Sequence, residues 1–269
     1  MSGLPASGEM PRTIAIDAHA HLRRCFDLAS SLDHAAANFS RASVSPPLGV
    51  LLLAETAGCL RFEDLVALSR DPWGDWVFEH TREPGSLVAR HRSGTLLLLI
   101  AGRQIVTRER LEVLSLASPA RIEDGLPIDE VIGTAREAGA IVVLPWGFGK
   151  WWGRRGEIVR RIVDEARPGK LFLGDNRNRP QLAPGPALFR EAEARGIGVL
   201  PGSDPLPFPA HVRNLGRYGF LLPAELERKT PAEELKRILR QARPSPSPIG
   251  RRVNPLRFLG DQIRLRAGG

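Results

Sequence analysis

The residues with the clearest capacity for chemistry are His19 and His21, in the stretch IAIDAHAHL. One residue separates them at the end of an apolar β-run. Side chains alternate along a strand, so both imidazoles point to one face. Each can then give a nitrogen lone pair to a shared cation. The alternative is a polar histidine pair at a strand end that holds no metal. A third group, Asp204 in VLPGSDPLPF, ends another apolar run after Gly202 and Ser203, which permit a tight turn. Carboxylates at the carboxyl ends of parallel strands collect at active sites. The alternative there is a helix N-cap or an Asx-turn before Pro205.

Two basic loops follow other apolar runs. In GFGKWWGRRGE, Lys150, Arg154 and Arg155 stand among Trp151 and Trp152. They could grip a phosphate or stack a ring, or the tryptophans could pack while the cations stay solvated. In GDNRNRP, Asp175, Asn176, Arg177 and Arg179 could recognise an anionic substrate or form structural salt bridges. His34, His80, His91 and His211 read as surface or loop histidines. Cys25 and Cys59 lie in no CxxC pair and read as buried or half-buried thiols in a reducing cytoplasm.

These groups need a scaffold, and the chain is long enough for one. Its 269 residues are 42% hydrophobic and 25% charged, which fits a globular α/β domain with a sizeable core. No apolar run approaches the roughly 18 residues of a membrane helix. A net charge of +8 is compatible with phosphorylated small molecules, nucleic acid or anionic lipid, and arginine clamps planar oxyanions well. Nucleic-acid binding rests on that charge alone.

Short β-rich runs alternate with amphipathic helical patterns. Strands are expected from Thr13, Gly49, Asp75, Thr95 (TLLLLIAGRQIV), Leu111, Ala140, Lys170, Gly198 and Tyr218. Several are continuous apolar runs, as in strands buried on both faces. Helices are expected in LPIDEVIGTAREAGA, with Ile128, Val131, Ile132 and Ala135 on one face, in GEIVRRIVDEARPG, in PALFREAEARGIG, and in TPAEELKRILRQA with Thr230 as N-cap and Pro231 at N1. Residues from Asp75 to Ala117 read as antiparallel hairpins turning at RSG and TRER. The expected organisation is a disordered leader over 1–12, one domain over 13–242, and a basic tail over 243–269. The tail should be extended with one short helix near Leu256, docked through Leu256, Phe258, Leu259 and Ile263.

IDAHAHL, IAGRQIVTRERLEVLSLA, GAIVVLPWGFG and VLPGSDPLP together resemble, in order and spacing, the PHP (polymerase and histidinol phosphatase) family. The resemblance spans about Thr13 to Leu222. It implies a distorted seven-stranded (β/α) barrel that holds up to three metal ions and hydrolyses phosphoesters. The departures from the family pattern are many. Glu55 in AETAG stands for its acidic residue, while Thr56 replaces a histidine. Gln104 replaces a bridging glutamate, and Glu112 stands where a histidine is typical. Trp146 takes the place of a His-Pro pair, and Asp204 keeps the closing acid without its histidine. The resemblance therefore implies a reduced site holding one Zn, Mn or Fe ion, or none. His19, His21 and Asp204 would be its ligands, with Glu55 or Gln104 helping. Lys150, Arg177 and Arg179 would steady a small phosphorylated or anionic substrate near Trp146. The rival reading is a catalytically inactive binding or scaffold module in which the Trp146 indole fills the vacated space.

Overall fold

The computed structural model describes residues 13–42, 47–67, 72–227, 229–241 and 245–267. The expected leader lies outside them. The fold is mixed α/β, with two hydrogen-bonded sheets.

The first sheet contains β1 (Ile14–Ala20), β2 (Leu48–Leu53), β3 (Trp76–His80), β4 (Ser86–His91) and β5 (Leu96–Ile100). It also contains β11 (Tyr218–Leu222) and β12 (Pro248–Gly250), in the order β12-β11-β1-β2-β5-β4-β3. The second holds β6 (Gly102–Val106), β7 (Glu112–Leu116), β8 (Ile141–Pro145), β9 (Phe172–Asn176) and β10 (Val199–Gly202), in the order β10-β9-β8-β7-β6.

The expected seven-stranded barrel does not form. Closure would require β5 to pair onward with β6, but β4 occupies that edge of β5 in an antiparallel ladder. The run TLLLLIAGRQIV accordingly breaks at Ala101 into two strands that belong to different sheets. Gly102 makes this crossing possible, since a Cβ there would lie 2.4 Å from the Leu53 carbonyl oxygen. The sheets touch at two seams. One is a single bridge between Glu55 and Arg103. At the other, the Asp204 amide donates to the His19 carbonyl at 2.8 Å.

The period-two pattern of the strands sorts their side chains into layers. Ile14, Ile16, Val50, Leu52, Leu98, Leu114, Val143, Phe172, Leu200 and Phe220 pack together between the sheets. Helix α6 (Pro231–Gln241) adds Ala232, Leu235 and Leu239 to that core. The outer face of the first sheet is covered by α1 (Leu28–Ser40) and α2 (Arg61–Ala67). The second is covered by α3 (Ile128–Glu137), α4 (Arg154–Glu165) and α5 (Ala187–Ala194). In α3, Ile128, Val131, Ile132 and Ala135 are the buried set, and Gly139 follows with a φ of 68°.

The tail differs from expectation. After β12 it forms α7 (Pro255–Ala267), a helix of 13 residues with its apolar face outward. Leu256, Leu259 and Ile263 are 84%, 57% and 59% exposed, so they do not dock it. Asp261 is its buried residue, and Phe258 meets Phe148 edge-on at 5.2 Å. Two smaller expectations also change. Cys25 is exposed. His211, in a 3₁₀ turn over Pro209–Asn214, is buried and faces Asp261 at 3.3 Å. Among the described residues no helix is long and apolar enough to cross a membrane.

Candidate metal centre

Strand β1 loses regular register with β2 between Asp17 and Ala20, where its histidines begin. Both imidazoles are buried, and their Nε2 atoms lie 3.1 Å apart. Asp204 enters from the turn after β10. Its Oδ1 is 3.4 Å from His21 Nε2 and 3.7 Å from His19 Nε2. A triangle with those three sides has a point about 2.0 Å from every corner, which matches Zn–N and Zn–O bonds of about 2.0–2.2 Å. The donors therefore fit a small divalent cation. They are also the one such group of three among the described residues. A bulky indole could not stand between donors this close.

The carboxylate is placed by an unusual backbone. Asp204 has φ of 43°, a left-handed conformation that aspartate tolerates better than most side chains. Gly202 lets β10 approach β1, because a Cβ there would fall 2.4 Å from both Cβ and N of His19. Asn176 donates from Nδ2 to Asp204 Oδ2 at 3.0 Å and to the Trp146 carbonyl at 2.8 Å, and Asn178 donates to the Asp204 carbonyl at 2.7 Å. Asp17 is fully buried below. It accepts from the amides of His19, Ser203 and Gly216 at 3.1, 2.7 and 3.0 Å, and from the Ser203 hydroxyl. Burial raises its pKa against those donors. Sequence reasoning passed over Asp17, although a carboxylate inside an otherwise apolar strand was the available signal.

The charge states suit a cation. Burial lowers the His21 pKa to about 3, with Arg23 and His19 adding to the effect and Asp204 opposing it, so the imidazole is neutral. Burial opposes ionisation of Asp204, but His19, His21 and Arg23 outweigh it and hold the carboxyl below its ordinary range. A neutral imidazole and an ionised carboxylate are the forms that bind metal.

Gln104, on β6, brings Oε1 to 2.9 Å from His19 Nε2. Its amide is oriented by donation from Nε2 to Glu112 Oε1 at 3.1 Å, and Glu112 in turn pairs with Lys150. Glu55 is turned toward the start of α2, where it accepts from the Phe62 amide at 2.7 Å. Burial raises its pKa to about 7, against the Phe62 amide and Arg103. Trp146 is half-buried and packs on the core under α3–α5. Arg179 is spent on Asp175, with two bonds of 2.7 and 2.6 Å, and Tyr218 donates to the same carboxylate at 2.8 Å. Arg177 is buried without such a partner: its Nε and Nη1 make no hydrogen bond among the described residues.

No protein-family model and no curated protein matches the chain. Solved structures do. PsfC from Pseudomonas syringae PB-5123 is similar at TM-score 0.52 and 14% identity, over 95% of this chain and 98% of that one. The lesion-specific endonuclease PfuEndoQ from Pyrococcus furiosus is similar at TM-score 0.51 and 14% identity. The match covers 86% of this chain but 56% of PfuEndoQ. At these identities the likeness is one of fold.

Proposed function

We propose that this chain is a hydrolase of phosphoesters with a reduced, PHP-like site that works with a single divalent cation held by His19, His21 and Asp204. The observation that carries the reading is the triangle of donor atoms at bonding radius from one point. A cation there would supply Lewis-acid polarisation of a phosphoryl oxygen and lower the pKa of a water. Asp204, positioned by Asn176 and Asn178, gives the negative charge that selects a cation, and His21 stays neutral so that its lone pair is free. The Gln104 amide oxygen offers a fourth, uncharged donor. Glu112 holds both Gln104 and Lys150, which places an ammonium beside the site for an anionic substrate. No second group of converging ligands exists among the described residues, which favours one ion over a two-metal clamp.

The fold shared with an endonuclease makes phosphodiesters a substrate class to assay beside monoesters. The direct test is turnover of bis(p-nitrophenyl) phosphate and p-nitrophenyl phosphate by chelator-treated protein with Mn or Zn restored. Metal-dependent turnover that disappears in Asp204→Asn supports the reading. Stoichiometric metal binding with no turnover of either ester would instead identify a binding module.

A further inference from the structure

A cleft of 440 Å³ is lined by His34 and four arginines, Arg41, Arg213, Arg217 and Arg251, and by no acidic side chain. Three parts of the fold build it. Helix α1 carries His34 and Asn38 and ends at Arg41, its C-cap. The 3₁₀ turn carries Arg213, and the antiparallel pair β11–β12 is flanked by Arg217 and Arg251. Specific contacts fix these parts together. Asn38 Nδ2 donates to the Arg213 and Leu215 carbonyls at 3.0 and 2.7 Å, which ties α1 to the turn. Its Oδ1 accepts from Arg41 Nη1 at 3.0 Å. Gly250 has φ of 80°, and a Cβ there would collide with the Arg217 carbonyl oxygen. Glycine therefore lets β12 lie against β11, with Arg217 and Arg251 on one cleft.

The charge here is arranged differently from the rest of the surface. Arg90, Arg121, Arg160, Arg161 and Arg237 each pair with a glutamate or an aspartate. Among the described residues, none of the four cleft arginines pairs with a carboxylate, and Arg41 meets only an amide oxygen. A concave wall of one sign focuses its field into the cleft, because the protein around it has a low dielectric constant. Guanidinium forks match phosphate oxygens. One phosphate group carries about two negative charges, so four arginines suit a run of phosphates better than a single one. No aromatic ring besides the His34 imidazole lines the cleft, which leaves no platform for stacking a base.

We propose that the cleft between α1, the 3₁₀ turn and β12 binds a short polyphosphate chain through Arg41, Arg213, Arg217 and Arg251. Gly216, also in its lining, donates its amide to Asp17 Oδ2 at 3.0 Å, and Asp17 Oδ1 accepts from the His19 amide. The site is thus a neighbour of the cation ligands and shares none of them.

The probe is tripolyphosphate, titrated calorimetrically into chelator-treated protein, so that neither a bound cation nor the hydrolase reading enters the result. One tripolyphosphate per chain is expected, with an affinity that falls as sodium chloride is added. Arg213→Ala and Arg251→Ala, both at exposed positions, should each weaken binding about tenfold, the loss that goes with one charge-assisted hydrogen bond, and together about a hundredfold. Arg213→Lys should keep part of the affinity. Arg237→Ala removes the same charge from α6, outside the cleft, and should change affinity less than about twofold. Melting temperatures check that each variant is folded. Absence of saturable binding, undiminished affinity in the double variant, an equal loss in Arg237→Ala, or equally tight binding of orthophosphate would overturn the proposal. Adenosine triphosphate tests the role of the phosphates alone. Affinity equal to that of tripolyphosphate supports the proposal, and binding of the nucleotide without binding of tripolyphosphate overturns it.

Discussion

The Nε2 atoms of His19 and His21 sit 3.1 Å apart, with Asp204 Oδ1 within 3.7 Å of both. Lone pairs held so close repel one another unless a proton or a cation lies between them. Burial keeps His21 neutral, so the gap is bridged either by the single N–H of a neutral ring or by a cation.

Asn176 should matter to metal binding through Asp204. Its Nδ2 spans the carboxylate and the Trp146 carbonyl. Asn176→Ala is expected to weaken metal affinity roughly 10–100-fold, the range typical of groups that orient a ligand. Competition with a chromogenic chelator measures it, and circular dichroism should show an unchanged fold.

Asp17 should matter for stability. Its removal strands three buried amides, those of His19, Ser203 and Gly216. Asp17→Ala is expected to cost about 3–5 kcal/mol in urea unfolding, and Asp17→Asn less, since an amide oxygen still accepts.

Gly202 should tolerate no side chain. A Cβ would meet His19 at 2.4 Å, and both atoms in the way are main-chain N and Cβ, which cannot rotate aside. Gly202→Ala is expected to cost roughly 1–3 kcal/mol and to weaken metal binding as well, because it pushes β10 and Asp204 away from β1. Retained affinity in the folded variant would show that the seam has room for a methyl group.

Acid should loosen the contact under α7. Burial lowers the His211 pKa; Asp261 opposes the shift, and Arg257 and Arg177 reinforce it. The folded state therefore binds fewer protons than the unfolded chain. Stability is complete above the unfolded histidine pKa of about 6.5 and is lost as pH falls below it. His211→Gln should flatten the fall in melting temperature between pH 7 and pH 5 relative to wild type. An equal slope in both proteins would place the proton uptake elsewhere.

The convergence of His19, His21 and Asp204 was legible because their position follows from strand geometry. An HxH at the end of one apolar run and an acid at the end of another are local patterns, and β1 and β10 bring them together. Most strands were legible for the same reason, as were the RSG and TRER turns. Sheet closure was not. Whether β4 or β6 takes the edge of β5 depends on contacts between distant segments, and β4 carries no alternation strong enough to announce itself. Nor did the tail's composition disclose that Asp261 would turn inward while Leu256 and Ile263 turned out. That choice is made by His211, which lies 50 residues away.

The most direct test is calorimetric titration of chelator-treated protein with Zn or Mn. One ion per chain is expected, with binding abolished in His21→Ala and in Asp204→Asn while both variants stay folded. Absence of saturable binding in the wild type, or the same stoichiometry and affinity in those two variants, would contradict it.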